Sequence, residues 1–176
     1  VELQVPGEQY ETVGLRNSPS FLRKAIPYLI ENKLCIELEI FDVGCLYNAK
    51  KLEAEGLFGS RGLSSPGFYL HYVMGHGGQP ATMKQLMYIF EEGKKLFPDA
   101  EVCVSAAADD CYTIITTALL LGCNMVRCGI EDSHKLSNGR MAASNVEIVE
   151  NVVRIAEDIG RNIASVEDAK KMLMPE

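Results

Sequence analysis

The sequence predicts an α/β fold, either an open parallel sheet or roughly the C-terminal half of a (β/α)8 barrel. Short β-branched runs alternate with longer amphipathic segments, which is typical of strand-helix units. Four such units are evident, whereas a closed barrel of eight typically takes about 250 residues, and this chain has 176. We expect one domain, in which residues 1–17 are a lead-in or remnant strand and residues 18–176 are the βα units.

Capping signals and glycines mark the elements of the first half. Ser18 is a good N-cap and Pro19 suits the first helical position, whereas Pro27 should kink the helix that they begin. The predicted elements are a possible strand at residues 1–5, a helix from Pro19 to about Asn32, a strand at 35–41 and a short helix at about 47–55, which Gly56 ends.

The second half is marked by two capping boxes, Thr82 with Gln85 and Ser144 with Glu147, and by Asp110 as an N-cap. The predicted elements are a strand at 68–74, a glycine loop at 75–81, a helix from 82 to 97, a strand at 101–105, a helix from 110 to 122, a strand at 125–130, a strongly periodic helix from 144 to 160 and a short helix from Ser165.

Charge and cysteine usage narrow the class of protein. A formal net charge of -7 and a pI near 5.1 argue against a general binder of nucleic acid or anionic membranes, because both ligands require a basic face. The six cysteines lack zinc-finger or CxxC spacing, so we expect reduced core thiols and a cytoplasmic protein. No signal peptide and no apolar run of about twenty residues is apparent.

The strand predicted at 125–130 carries charge where an apolar strand does not need it. Side chains alternate between the faces of a strand, so Arg127 and Glu131 point the same way, with Asp132 at the end. Because an unpaired buried charge is costly, this face should line a polar cavity or bind a metal. The alternative for Glu131 and Asp132 is a cap or loop position.

Glu37 and Glu39 likewise share one face of the strand at 35–41. A solvated sheet edge is one interpretation of this pair. Arg127 on another strand favours the other, since a buried guanidinium requires a carboxylate partner.

Several short motifs follow one another along about 160 residues. They are Asn17-Ser18-Pro19, Glu37-x-Glu39-x-Phe41-Asp42-x-Gly44, Val73-Met74-Gly75-x-Gly77-Gly78-x-Pro80-Ala81-Thr82, Arg127-x-Gly129-x-Glu131-Asp132, Lys135-Leu136-Ser137-Asn138-Gly139, Ser144-Asn145 and Ile159-Gly160-Arg161. In combination they resemble the β-keto acid cleavage enzymes, typified by 3-keto-5-aminohexanoate cleavage enzyme. The resemblance implies strands five to eight of a (β/α)8 barrel.

The resemblance also implies an activity and a set of site residues. Such enzymes take a β-keto acid and acetyl-CoA and yield a new acyl-CoA and acetoacetate, with a divalent metal, usually zinc. Two histidines of the N-terminal half and Glu131 would hold the metal, Asp132 would serve as acid/base or orient the substrate, Arg127 would organise the site and Glu39 would assist in deprotonating or positioning the substrate.

The sequence departs from this family pattern at two places. His71, His76 and His134 form no His-x-His pair, so the two histidine ligands would belong to an N-terminal half supplied elsewhere. Residues 102–110 end in Asp109 and Asp110, where the family usually has a Gly-Arg pair.

The glycine loop has two interpretations. Gly77 and Gly78 precede a helix N-terminus and could present backbone amides to a CoA phosphate. Alternatively, they only make a tight strand-to-helix turn. His76 in this loop and His134 after Asp132 are further candidate contacts.

We therefore predict a metal-dependent, C–C cleaving acyltransferase of β-keto acids that requires a second half, as a homo-oligomer or with a second chain. The alternatives are a non-catalytic half-barrel subunit that completes or regulates a paralogue, and an unrelated metal-dependent aldolase or isomerase on the same fold.

Overall fold

Four parallel strands form a single sheet, in the order β1-β2-β3-β4, in a computed structural model that describes residues 17–59, 62–107 and 110–174. The elements are α1 (Pro19–Glu31), β1 (Ile36–Ile40), α2 (Val43–Ala54), β2 (Phe68–Met74), α3 (Met83–Leu96), β3 (Val102–Ala106), α4 (Cys111–Leu120), β4 (Met125–Val126), α5 (Asn145–Asp158) and α6 (Val166–Leu173), with a 3-10 turn at Gly62–Ser64. The strand order follows the sequence without reversal, which is the order in a (β/α)8 barrel and differs from a doubly wound sheet.

The two faces of the sheet differ in chemistry. Ile36, Leu38 and Ile40 of β1 lie in the hydrophobic core, where α1 and α2 contact the strand. The alternate residues carry polar side chains that contact one another across the strands, and we call this the inner face: Glu37 and Glu39 of β1, Tyr69 and His71 of β2, and Ser105 of β3. The apolar face packs against the helices and so positions the sheet. The polar face carries the side chains that are able to bind a ligand or take part in a reaction.

Most predicted elements are confirmed. β2 has the predicted bounds, and α1 begins after Ser18, whose side chain accepts a hydrogen bond from the Phe21 amide, and ends before Asn32. α3 and α5 begin after Thr82 and Ser144. The Gln85 side chain makes no reciprocal bond to Thr82. Its Oε1 atom instead accepts from the side-chain amide of Gln79. Ser165 caps α6 in a capping box with Asp168.

Two predicted boundaries and one predicted side-chain cap are wrong. α2 begins at Val43, four residues earlier than expected, because Asp42 caps it through a bond from the Cys45 amide. Asp110 precedes α4 without a side-chain capping bond. β4 ends at Val126 and does not reach Ile130, because the chain turns away from the sheet after Arg127. The possible strand at residues 1–5 lies outside the described residues.

The structure bears on the state of the cysteines and on the presence of membrane-spanning helices. All six cysteines are free, and Cys45, Cys103, Cys111 and Cys123 are buried, as predicted for core thiols. Among the described residues, none of the helices combines the length and the apolar character needed to cross a bilayer.

Candidate active site

Arg127 and Asp132 form the centre of the site, just beyond the C-terminal end of β4. The Arg127 guanidinium donates from Nη2 to Asp132 Oδ1 at 2.7 Å and from Nε to Oδ2 at 3.2 Å. Only 2 % of the Asp132 side chain is exposed. This two-point bond fixes the position of a buried carboxylate.

A turn at Gly129 brings Asp132 back to Arg127. The amides of Asp132 and Ser133 both donate to the Gly129 carbonyl, at 3.0 and 2.9 Å. The Asn145 side chain, at the start of α5, accepts from the Ile130 amide at 2.8 Å and holds the turn from outside. Among the described residues, Arg127 has two carboxylate partners: Glu39 of β1, in agreement with the expectation for that strand, and Asp132, which the turn brings closer to Arg127 than Glu39.

Glu39 extends this pair across the inner face. Its Oε1 atom lies 3.5 Å from Arg127 Nη1. Burial by itself would lower the pKa of Arg127, but the bond and charge of Asp132 and the charges of Glu131 and Glu39 outweigh it and raise that pKa. The guanidinium is therefore a permanent cation between two carboxylates. His76 Nε2, from the loop after β2, lies 3.8 Å from Asp132 Oδ1.

A second polar network lies beside the first on the inner face. His71 is fully buried, and its Nδ1 contacts Glu37 Oε1 while its Nε2 lies 2.8 Å from Ser105 Oγ. The Tyr69 hydroxyl donates to Glu37 Oε2 at 2.8 Å. The bond from His71 lowers the pKa of Glu37, against an opposing effect of burial, and the bond from Tyr69 lowers it further. Glu37 is thus an ionised carboxylate whose two oxygens are both held.

One group of potential metal ligands occurs among the described residues. One ligand atom from each of Glu37, Glu39 and His71 lies within 4.8 Å of the others. Glu131 is exposed and does not belong to this group, and His134 is exposed as well.

The glycine loop is shaped by a close approach to the end of β1. A Cβ on Gly78 would lie 2.1 Å from the carbonyl oxygen of Phe41, and that same oxygen accepts from the Gln79 amide. Gly75 and Gly77 have positive φ angles of 84° each. These contacts support the turn interpretation of the loop. They leave the predicted contact of Gly77 and Gly78 with CoA untested.

The structure therefore brings together three of the predicted site residues, Glu39, Arg127 and Asp132. Glu131 lies at the rim, exposed, and contributes to the electrostatics of Arg127. Sequence reasoning missed His71 and Ser105. A signal for His71 existed, because a strand at 68–74 puts Tyr69 and His71 on one face, but only the register of β1 with β2 places His71 opposite Glu39.

One protein family and several curated proteins are similar to most of this chain. A family model described as beta-keto acid cleavage enzyme matches residues 7–174. A 3-keto-5-aminohexanoate cleavage enzyme from Acetoanaerobium sticklandii is 29% identical over 158 residues, which are 89% of this chain and 54% of that protein. A 3-oxoadipate:acetyl-CoA acetyltransferase from Cupriavidus necator is 27% identical over 138 residues, which are 78% of this chain and 46% of that protein.

Solved structures extend the comparison to the fold. The apo structure of ObcA has a TM-score of 0.76 at 18% identity, and the match covers 91% of this chain and 41% of ObcA. This likeness shows a fold of the TIM-barrel type. The chain spans about half the length of the curated relatives that it matches.

Proposed function

Because the chain belongs to the β-keto acid cleavage enzyme family, we propose that it carries part of the active site of an enzyme that cleaves a β-keto acid with acetyl-CoA, giving an acyl-CoA and acetoacetate. The observation that carries the proposal is the charged row Glu39–Arg127–Asp132 at the C-terminal end of the sheet, where barrel enzymes collect their chemistry. The names of its relatives, which include acetyl-CoA as acceptor, support it.

The geometry suggests a division of roles. Asp132 is the acid/base or substrate-orienting group, because it is a buried carboxylate whose position is fixed by Arg127. Arg127 organises the site by holding Asp132 and facing Glu39. Glu39, which is partly exposed on the inner face, assists in deprotonating or positioning the substrate.

We further propose that a divalent metal, expected to be zinc, belongs to the complete site. When bound, such an ion polarises the keto carbonyl as a Lewis acid. Glu131 would be one ligand of this ion, and two histidines of the N-terminal half would supply the others; among the described residues, Glu131 belongs to no group of three potential ligands. None of the residue roles above depends on the ion.

Completion of the barrel is the next part of the proposal. Within the described residues, β1 and β4 each pair with one neighbour, and an unpaired strand edge exposes a row of hydrogen-bonding groups. Beside β4 lies a cavity of about 430 Å³, lined on its apolar side by Leu119, Val126, Val149, Val152, Val153 and Ile163. We propose that an N-terminal half-barrel, from the same or a second polypeptide, covers this edge and supplies the missing strands.

CoA binding is proposed at the glycine loop. Gly77 and Gly78 lie between β2 and α3, whose N-terminus is capped by Thr82. Backbone amides at a helix N-terminus favour a phosphate. The loop follows the C-terminal end of β2, and the charged row follows the same end of β4, so the thioester would extend across one edge of a parallel sheet.

The function can be tested on the completed protein, that is, the chain together with its N-terminal half. Acetoacetate release would be followed with acetyl-CoA and each β-keto acid named for the relatives, 3-keto-5-aminohexanoate, 3-oxoadipate, 3-dehydrocarnitine and 3,5-dioxohexanoate. We expect at least one to be cleaved, strictly with acetyl-CoA. Asp132→Asn should lower kcat by about 10²–10⁴-fold, since it removes an acid/base group.

The matched control is Asp99→Asn, an exposed aspartate before β3, which should leave kcat unchanged. Cleavage without acetyl-CoA would favour an aldolase of another type. Full activity of the Asp132→Asn variant would favour a non-catalytic subunit. Turnover by the chain alone would contradict the need for a second half.

A further inference from the structure

The inner face holds a second cluster of ligating side chains, Glu37, Glu39 and His71, which we call the acidic-histidine cluster. We propose that this cluster binds a divalent transition-metal ion of the Zn²⁺ type. The cluster shares Glu39 with the reaction proposed above, but the proposal does not rest on that reaction, because its test is metal binding and not turnover.

The backbone places the three ligands together. Glu37 and Glu39 are two residues apart on β1 and therefore share a face. His71 is the register partner of Glu39 on β2. One ligand atom from each side chain lies within 4.8 Å of the others, and metal–ligand bonds of about 2.0–2.2 Å bring such atoms to about 3–3.6 Å from one another. Rotation of two partly exposed glutamates would close this difference.

The His71 ring directs its Nδ1 atom at the carboxylates. It is fully buried, and its Nε2 is occupied by Ser105 Oγ at 2.8 Å, so its Nδ1 faces the cluster. In the metal-free chain Nδ1–H donates to Glu37; when a metal takes the place of that proton, Nε2 would donate its hydrogen to Ser105 Oγ. Metal-binding histidines usually donate their other ring N–H in this way.

The carboxylates are supported in the same manner. Tyr69 donates to Glu37 Oε2 at 2.8 Å, which orients this carboxylate with its other oxygen toward His71. Ser105 and Tyr69 are thus an outer layer around the three ligands. Such outer partners tune metal affinity.

Charge balance on the described part of the inner face points to a dication. Three carboxylates, Glu37, Glu39 and Asp132, face one permanent cation, Arg127. Arg127 is already bonded twice to Asp132 and approaches Glu39 only through Oε1 at 3.5 Å. Carboxylates therefore outnumber guanidinium groups by two on this part of the face, which favours binding of a divalent cation.

Burial excludes nucleophilic catalysis by Ser105, which is the other chemistry that this arrangement suggests. Glu37, His71 and Ser105 are connected in the order of a carboxylate–histidine–serine triad. Ser105 and His71 are both fully buried, so a substrate carbonyl has no path to Ser105 Oγ. The accessible groups are the two glutamates, and these are ligands.

The donor set selects the class of ion. One imidazole nitrogen with two carboxylates suits Zn²⁺ and related transition metals, whereas Mg²⁺ and Ca²⁺ prefer sites made of oxygen only. We therefore expect Zn²⁺ and Co²⁺ to bind and Mg²⁺ not to compete.

The test is metal titration of the chelator-treated chain, with Zn²⁺ by calorimetry and with Co²⁺ by its visible absorption. We expect one ion to bind, His71→Gln and Glu37→Gln to weaken binding by at least about 100-fold, and Ser105→Ala to weaken it by about 10–100-fold. Glu91→Gln and Glu157→Gln are the controls and should leave the affinity unchanged, as both residues are exposed and lie outside the cluster.

Three outcomes would overturn the proposal: no binding of Zn²⁺ or Co²⁺, loss of binding in a control variant with retention in the His71→Gln variant, or a thiolate-to-Co²⁺ charge-transfer band, which would assign the ion to cysteines. Circular dichroism of each variant accompanies the titration. If the His71→Gln variant does not fold, Glu37→Gln decides, because Glu37 is partly exposed and its substitution leaves the buried ring in place.

Discussion

Glu101 precedes β3 and has one carboxylate oxygen, Oε2, buried without a hydrogen-bond partner among the described residues. Burial raises the pKa of this carboxyl, and the charge of Lys94 only partly opposes the effect. A raised pKa means that folding favours the protonated form. The stability that this form provides is complete below the unfolded pKa and is lost as the pH rises through the folded pKa.

We therefore expect Glu101→Gln to raise the Tm at pH 7, because a neutral amide costs less to bury than a carboxylate. The gain should shrink as the pH falls and vanish below about 4.3, the ordinary glutamate pKa. Thermal unfolding of both proteins across this range is the measurement. A gain of equal size at low pH would show that the charge of Glu101 is not the cause.

At the scale of elements, α3 and β2 meet at a contact that only glycine permits. A Cβ on Gly93 of α3 would lie 1.8 Å from the hydroxyl oxygen of Tyr72, a buried β2 side chain. This hydroxyl is also buried without a hydrogen-bond partner among the described residues. The helix can therefore approach the sheet closely only because position 93 has no side chain.

Gly93→Ala should destabilise the protein by about 1–2 kcal/mol, as the overpacking cost exceeds the helix propensity that alanine adds. Urea unfolding measures the change, with Glu91→Ala on the exposed face of α3 as the control. Combining Gly93→Ala with Tyr72→Phe should recover part of the loss, since phenylalanine lacks the clashing oxygen. A stabilising Gly93→Ala would show that the close approach does not restrict the helix.

At the largest scale, the sheet formed by the described part of the chain is open at β1 and at β4. Val149 of α5 lines the cavity beside β4 and is 46% exposed, whereas Val166 of α6 is 74% exposed and lies outside that cavity. Exposed apolar side chains beside an unpaired strand are typical of a surface that another chain covers.

We expect the purified chain to self-associate or to bind its complementary half through this edge. Val149→Glu should weaken that association by tenfold or more, since burying an unpaired carboxylate costs more than about 1.4 kcal/mol. Val166→Glu should leave it unchanged. Analytical ultracentrifugation of both variants is the measurement. A chain that is monomeric and does not bind its complementary half would contradict the half-barrel proposal.

Much of the molecule could be predicted because its signals are local. Strand phase, capping residues and helix-ending glycines depend on a few neighbouring residues, which is why β2, α1 and α3 lie where they were expected. The errors at α2 and β4 have one origin. Arg127 was predicted inside a strand and Asp42 in the connection before a later helix, but each lies where the chain turns, and hydrogen bonds from Cys45 and at Gly129 decide the turn.

The sequence by itself determined the order of strands and helices, the polar face of β1 and the presence of Glu39, Arg127 and Asp132 at strand ends. Only the tertiary structure decided that Asp132 pairs with Arg127 while Glu131 is exposed, and that His71 joins Glu37 and Ser105. The physical reason is the range of the interactions. Capping and alternation act within a few residues, whereas parallel register and a buried ion pair depend on strands that are about thirty residues apart in a βα unit.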